Sequence, residues 1–381
     1  MYPPSGTQGP SPDIPDLPPG DPNDRYDHFV PRSVPPVQGR LRVQITLFVL
    51  TLVTTTLAGA LHYYSFSQDW SRAGQPGQGE LLQLFSDPLF YVRGLWYSLT
   101  ILAILGCHEM GHYAACVRYN VLATRPYFLP VPPIPFLTGT LGAFIRIKSR
   151  MPDKIALFDI GIAGPIAGFV VAVPLLFSGL ALSRIDRLPE ETSTLITLGE
   201  PLLFRLAAWL IWGDVAPGHS INMHPMAFAA WFGLLATALN LFPISQLDGG
   251  HIAYAVFGRR STLITFVTIA VAIGLTFVSS GWIVWTALMV GMIFLVGPHH
   301  PPTLDDDRPI GRGRLMLAAG ALAMLIVCFT PAPIGEFIAT PSLDDARDGP
   351  ELVEGPSEHR ERIDVNRDSL REPGLARHGE L

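Results

Sequence analysis

Seven stretches of this chain are apolar over close to the thickness of a bilayer. They fall at residues 43–63, 91–117, 155–182, 226–247, 262–279, 281–297 and 315–330, the last three being short. A helix needs about 20 mostly apolar residues to cross hydrocarbon, because no water is there to satisfy its backbone. A further stretch at 202–212, "LLFRLAAWLIW", is too short to span and carries Arg205, so it reads as a re-entrant or interfacial helix. The expected fold is an all-α polytopic membrane protein. It has six to seven transmembrane helices.

Composition agrees. Of 381 residues, 49% are hydrophobic and only 15% charged, where soluble chains carry about a quarter. A net charge of −6 without a basic stripe argues against nucleic acid as a partner. The three cysteines, Cys107, Cys116 and Cys328, sit in apolar stretches and form no disulfide framework. Residues 1–40 are rich in Pro, Gly and Asp and read as a disordered tail, as do the charged residues 336–381. Between them lie a first span and loop at 41–90, a membrane core at 91–260 and additional spans at 261–335.

Lys and Arg near the span ends set the orientation. Arg32, Arg40 and Arg42 precede the first span. Arg118, Arg125, Arg146, Lys148, Arg150 and Lys154 follow the second. Arg259 and Arg260 follow the fourth; Arg308, Arg312 and Arg314 follow the sixth. The expected N-terminus is cytoplasmic, in a multi-pass protein of a bacterial cytoplasmic membrane.

The second run holds "ILGCHEMGHYAAC". His108 and His112 are one helical turn apart on one face, so both imidazoles can grip one cation. Glu109 projects about 100° round the axis, beside the cation without ligating it. That is the arrangement of a zinc hydrolase, in which zinc activates a water and a carboxylate takes its proton. Ionisable groups at membrane depth are costly unless they pair or line a cavity, which weighs against an idle cluster.

A catalytic zinc takes three protein ligands and keeps one position open. The third is sought in "ALNLFPISQLDGGHIAY" at 238–254, where Pro243 breaks the helix and Gly249–Gly250 permits a sharp turn. Asp248 at that break is the preferred ligand, at a depth similar to the two histidines. His251 competes, with a supporting role the simpler reading.

"HEMGHY" in a span, followed by "NLFPISQLDGG", closely resembles the site-2 protease family of intramembrane zinc metalloproteases. The likeness covers about 91–260, read as the metalloprotease membrane core. It implies zinc on His108, His112 and Asp248, with Glu109 activating water. Asn240 matches the family's asparagine near the site, which implies substrate binding. "FLTGTLGAFIRIKS" at 136–149 looks like the family's segment between core spans. Its residues 140–148 favour extended structure, a re-entrant or β-like edge that can pair with an unwound substrate. Gly139, Thr140 and Gly142 are the substrate-binding candidates there. "FDIGIAGPIAGF" at 158–169 resembles the small-residue start of a core span, with Gly161, Gly164 and Gly168 spaced for helix packing. The loop at 183–225 is too short for the inserted PDZ-like domain of many members.

The resemblance implies hydrolysis of peptide bonds in or near transmembrane segments. The substrate is a single-span membrane protein in the lipid bilayer. Two other readings stand beside it: a metal-ion transporter using the same ligands, and a catalytically inactive scaffold that binds membrane helices.

Overall fold

The computed structural model describes residues 40–68, 83–133, 138–188 and 196–336. Both tails, and Phe136 and Leu137 of the extended segment, lie outside the described residues. Among the described residues, nine longer helices follow the apolar runs: α1 Leu41–Ser67, α2 Pro88–Arg118, α3 Lys154–Ala181, α4 Leu202–Trp212 and α5 Pro225–Leu241, then α6 Asp248–Phe257, α7 Ser261–Thr276, α8 Trp282–Val296 and α9 Gly311–Cys328. Among the described residues, five helical runs are long and apolar enough, by length and composition, to cross a membrane: α1, α2, α3, α9 and the run Asp248–Thr276, which is made of α6 and α7 and bends back between them. The protein is a multi-pass, largely helical membrane protein.

The helix starts are written in the sequence. Asp87 caps α2 by accepting from Leu89 N–H at 2.9 Å, with Pro88 at the first helical position. Asp153 caps α3 through Ala156 N–H at 2.7 Å. The central layer is α2, α3 and α5. α1 packs against α2, where Thr55 and Ser98 share a hydrogen bond of 2.7 Å. Trp231 of α5 is buried with Ala172 and Leu176 of α3 and Cys328 of α9.

The fourth apolar run is not one helix. α5 stops at Leu241, since Pro243 offers no N–H and Phe242 takes an extended conformation (ψ 133°). The chain then turns through Ser245, at φ +41°, and restarts as α6 at Asp248. Gly249 and Gly250 therefore do not make the turn. They are helical, and a Cβ on either would strike the carbonyls of Leu241 or Ser245. After α6, Gly258 (φ +60°) starts a reversal, and α7 runs back until Thr265 donates to Pro243 O at 3.2 Å. Asp248 thus opens a second helix after the break, seven residues past the end of α5.

Among the described residues, three two-stranded antiparallel sheets accompany the helices. β1 Tyr127–Pro130 pairs with β2 Thr140–Phe144, with Tyr127 opposite Phe144. β3 Arg184–Arg187 pairs with β5 His219–Asn222, and β4 Ile196–Leu198 with β6 Ile334–Glu336. The last two sheets have no counterpart in the sequence reading, which found no strand signal there.

His224 caps α5. Its Nδ1 accepts from Met226 N–H at 3.2 Å, and its ring packs edge-on to Tyr63, Phe66 and Trp96. Burial pulls this imidazole down to about 4 from its ordinary 6.5. The unfolded chain then binds the extra proton between those values. Stability present above pH 6.5 is lost as the pH falls towards 4. Thermal unfolding in detergent should show a midpoint dropping over that window. His224→Asn keeps a capping acceptor and does not titrate, so it should flatten the drop. An unchanged slope in that variant would assign the loss to other groups.

Candidate metal centre

α2 carries His108, Glu109 and His112, all buried, at the middle of the bundle. α3 crosses beside them. Gly168 lies against His108, where an added Cβ would stand 3.1 Å from the His108 Cβ. Gly164 lies flat against the His112 imidazole and has no room for any side chain. The glycine series read as a helix-packing motif therefore packs against the ring ligands themselves. Gly161 does the same for His251, whose Cβ would be 2.9 Å from an added one.

Asp248, the first residue of α6, closes the group. His108 Nε2 is 3.1 Å from Asp248 Oδ2, His112 Nε2 is 3.2 Å from the same oxygen, and the two Nε2 atoms are 3.1 Å apart. Among the described residues this is the one cluster of three such ligands. His112 Nδ1–H donates to Ile160 O at 2.7 Å, which fixes the lone pair on Nε2, facing the cluster. Three ligand atoms thus converge within 3.2 Å of one another, a donor set that one cation would bridge. Tetrahedral zinc, with bonds of about 2.0–2.1 Å, places its ligands about 3.3 Å apart. Two imidazoles and a carboxylate are the donors that zinc takes. The triangle fits that ion.

The remaining candidates divide. Asn240, on the last turn of α5, points Nδ2 to within 3.3 Å of His108 Nε2, so the site includes it. Glu109 stands beside the triangle, and the backbone of Ile145, just past β2, lies against its carboxyl group. β2 therefore runs into the site. Within it, Thr140 is buried and its hydroxyl donates to Leu129 O at 2.9 Å, a contact that holds the hairpin. Gly139 (φ +68°) gives its carbonyl to Thr54 Oγ1 of α1 at 2.7 Å. Gly142 (φ +110°) has nothing within 4 Å of where a Cβ would be, so it faces open space.

His251 is not a member of the ligand cluster. Pro301 O can only accept, so His300 Nδ1–H donates to it at 2.6 Å and His300 Nε2 accepts from His251 Nδ1–H at 2.7 Å. Burial holds the His300 imidazole below its ordinary range, which suits this neutral form. Tyr254 of α6 likewise donates to Asp306 at 2.7 Å. The loop between α8 and α9 thus clamps the helix that supplies Asp248. No sequence signal marked that clamp, because its partners are about 50 residues apart. Asp159, read as an interfacial residue, is held by Arg314 of α9 at 2.7 and 2.8 Å and by the Tyr119 hydroxyl. Cys116 and Cys328 are buried free thiols and Cys107 is half-buried, away from the ligands.

A model of peptidase family M50 matches residues 96–280, a stretch that contains both ligand-bearing helices. That stretch is a peptidase family M50 region. The M50 match is joined by several curated relatives. The probable zinc metalloprotease EGY1, chloroplastic, of Arabidopsis thaliana is 31% identical over 279 residues, covering 70% of this chain and 47% of the relative. The probable zinc metalloprotease EGY2, chloroplastic, of the same plant is 30% identical over 259 residues, covering 65% and 44%. The corresponding EGY3 of Oryza sativa subsp. japonica is 29% identical over 241 residues, covering 60% and 40%. The chain spans about half the length of the curated relatives it matches. No solved structure matches it.

Proposed function

We propose that this protein is a zinc-dependent intramembrane peptidase that hydrolyses peptide bonds in or near transmembrane segments of single-span membrane proteins. The observation that carries this is the triangle of His108 Nε2, His112 Nε2 and Asp248 Oδ2 at 3.1–3.2 Å, with the Glu109 carboxyl group beside it in an apolar helix. Zinc bound there supplies Lewis acidity, which brings the pKa of a water to about 7.

The chain's own residues do the rest. Glu109 takes a proton from the attacking water and returns it to the leaving amine. Asn240 Nδ2 donates towards the scissile carbonyl, orienting it. β2 pairs with β1 along one edge only, and among the described residues no strand covers its other edge. A substrate segment unwound from its helix can add there as a strand, with Gly139, Thr140 and Gly142 shaping the edge. That pairing meets a real requirement, since a helical substrate hides the bonds to be cut. The Lys and Arg distribution supports a cytoplasmic N-terminus. In this reading the membrane is a bacterial cytoplasmic membrane.

Reconstitution with single-span model substrates tests the function. Cleavage should stop when a chelator removes the metal and return when zinc is restored. Passage of zinc across sealed vesicles without cleavage would favour a transporter instead. Tight substrate binding with no turnover would favour a scaffold.

A further inference from the structure

A crevice of about 360 Å³ runs along the outside of the bundle between α6 and α9, unconnected with the metal ligands in chemistry. Its walls are wholly apolar and include Val256, Phe257, Ala319, Leu322 and Leu325. Along α9 it extends from Leu315 to Leu325, about 15 Å at 1.5 Å per residue. That is the depth of one leaflet of a hydrocarbon core about 30 Å thick.

One end of the crevice is cationic. Arg259 and Arg260 follow Phe257 after the single residue Gly258, and Arg312 lies one turn before Leu315. All three are exposed, and among the described residues no carboxylate pairs with any of them. Arg314 is different, being tied to Asp159. Lys154 adds a further charge, with Nζ near Gly258. A slot of leaflet depth with unpaired cations at its polar end matches one kind of molecule in both halves. We infer that this crevice is a binding site for an anionic phospholipid. The headgroup phosphate sits at Arg259, Arg260 and Arg312, and one acyl chain lies along Ala319, Leu322 and Leu325. A protein helix would not explain the free cations. A lipid with no net charge would leave them unused.

Native mass spectrometry of the full-length protein, stripped of lipid in mild detergent, tests this. The probes are palmitoyl-oleoyl phosphatidylglycerol and the matching phosphatidylcholine. Phosphatidylglycerol should be retained in preference to phosphatidylcholine, and each arginine changed to Gln should cut that preference about fivefold. Ala319 is exposed along the slot, so Ala319→Trp fills it with little disturbance to the bundle. That variant should stay monodisperse and lose the retained lipid. Equal retention of both lipids would overturn the headgroup assignment. Undiminished phosphatidylglycerol on Ala319→Trp would overturn the seat, leaving only adsorption to a charged surface. Crosslinking of the slot to a protein helix with no lipid retained would overturn both.

Discussion

Glu109→Gln should retain a full equivalent of zinc and lose cleavage by about 10²–10⁴-fold, the usual worth of a general base and acid. Gln has the same shape and hydrogen-bonding reach as Glu, but it cannot take a proton from water. The ligand triangle does not include Glu109, so its removal leaves the metal grip intact. The measurement pairs metal analysis with turnover of a reconstituted single-span substrate. Loss of both together would make Glu109 a ligand or a folding residue. Undiminished turnover would end its catalytic assignment.

Gly164→Ala should be the most damaging single methyl group in the protein. The added carbon would overlap Nε2, Cδ2 and Cε1 of His112. Either the imidazole leaves the triangle or α2 and α3 separate, and both outcomes loosen the metal. Zinc affinity should fall at least tenfold to a hundredfold, the range seen when the support of a ligand is lost. Gly168→Ala provides the scale, since its Cβ would lie 3.1 Å from the His108 Cβ, a contact that small adjustments relieve. Competition of each variant against a calibrated zinc chelator would rank them. Equal affinity in Gly164→Ala and wild type would show that α3 is free to yield there.

The sequence made the residues of this cluster legible because their chemistry is out of place. His108, Glu109 and His112 stand in a helix that hydrocarbon would otherwise reject, and their spacing puts two imidazoles on one face. Asp248 was legible for the same reason, as a carboxylate in apolar surroundings beside a helix-breaking proline. What the pattern did not carry was the work of the glycines. Gly164 and Gly168 read as small residues for helix packing, and only the crossing of α3 over α2 reveals that they face imidazoles. Gly249 and Gly250 read as turn formers, whereas Ser245 takes the left-handed backbone and the glycines permit close approach. The two outer sheets, β3–β5 and β4–β6, were hidden because each strand is three or four residues long. So short a run leaves no periodicity to detect.

The clamp on α6 changes what counts as the working unit. The family match ends at residue 280, before α9 begins and before His300 and Asp306 reach back to His251 and Tyr254. A chain cut at the end of the match would keep His108, His112 and Asp248 and lose the brace that holds the last of them in register. The last two helices, which carry no donor of their own, therefore act as a buttress. An insertion or a partner that tugged on residues 298–310 would be felt at the Asp248 carboxylate, within two turns of the clamped side chains on the same helix.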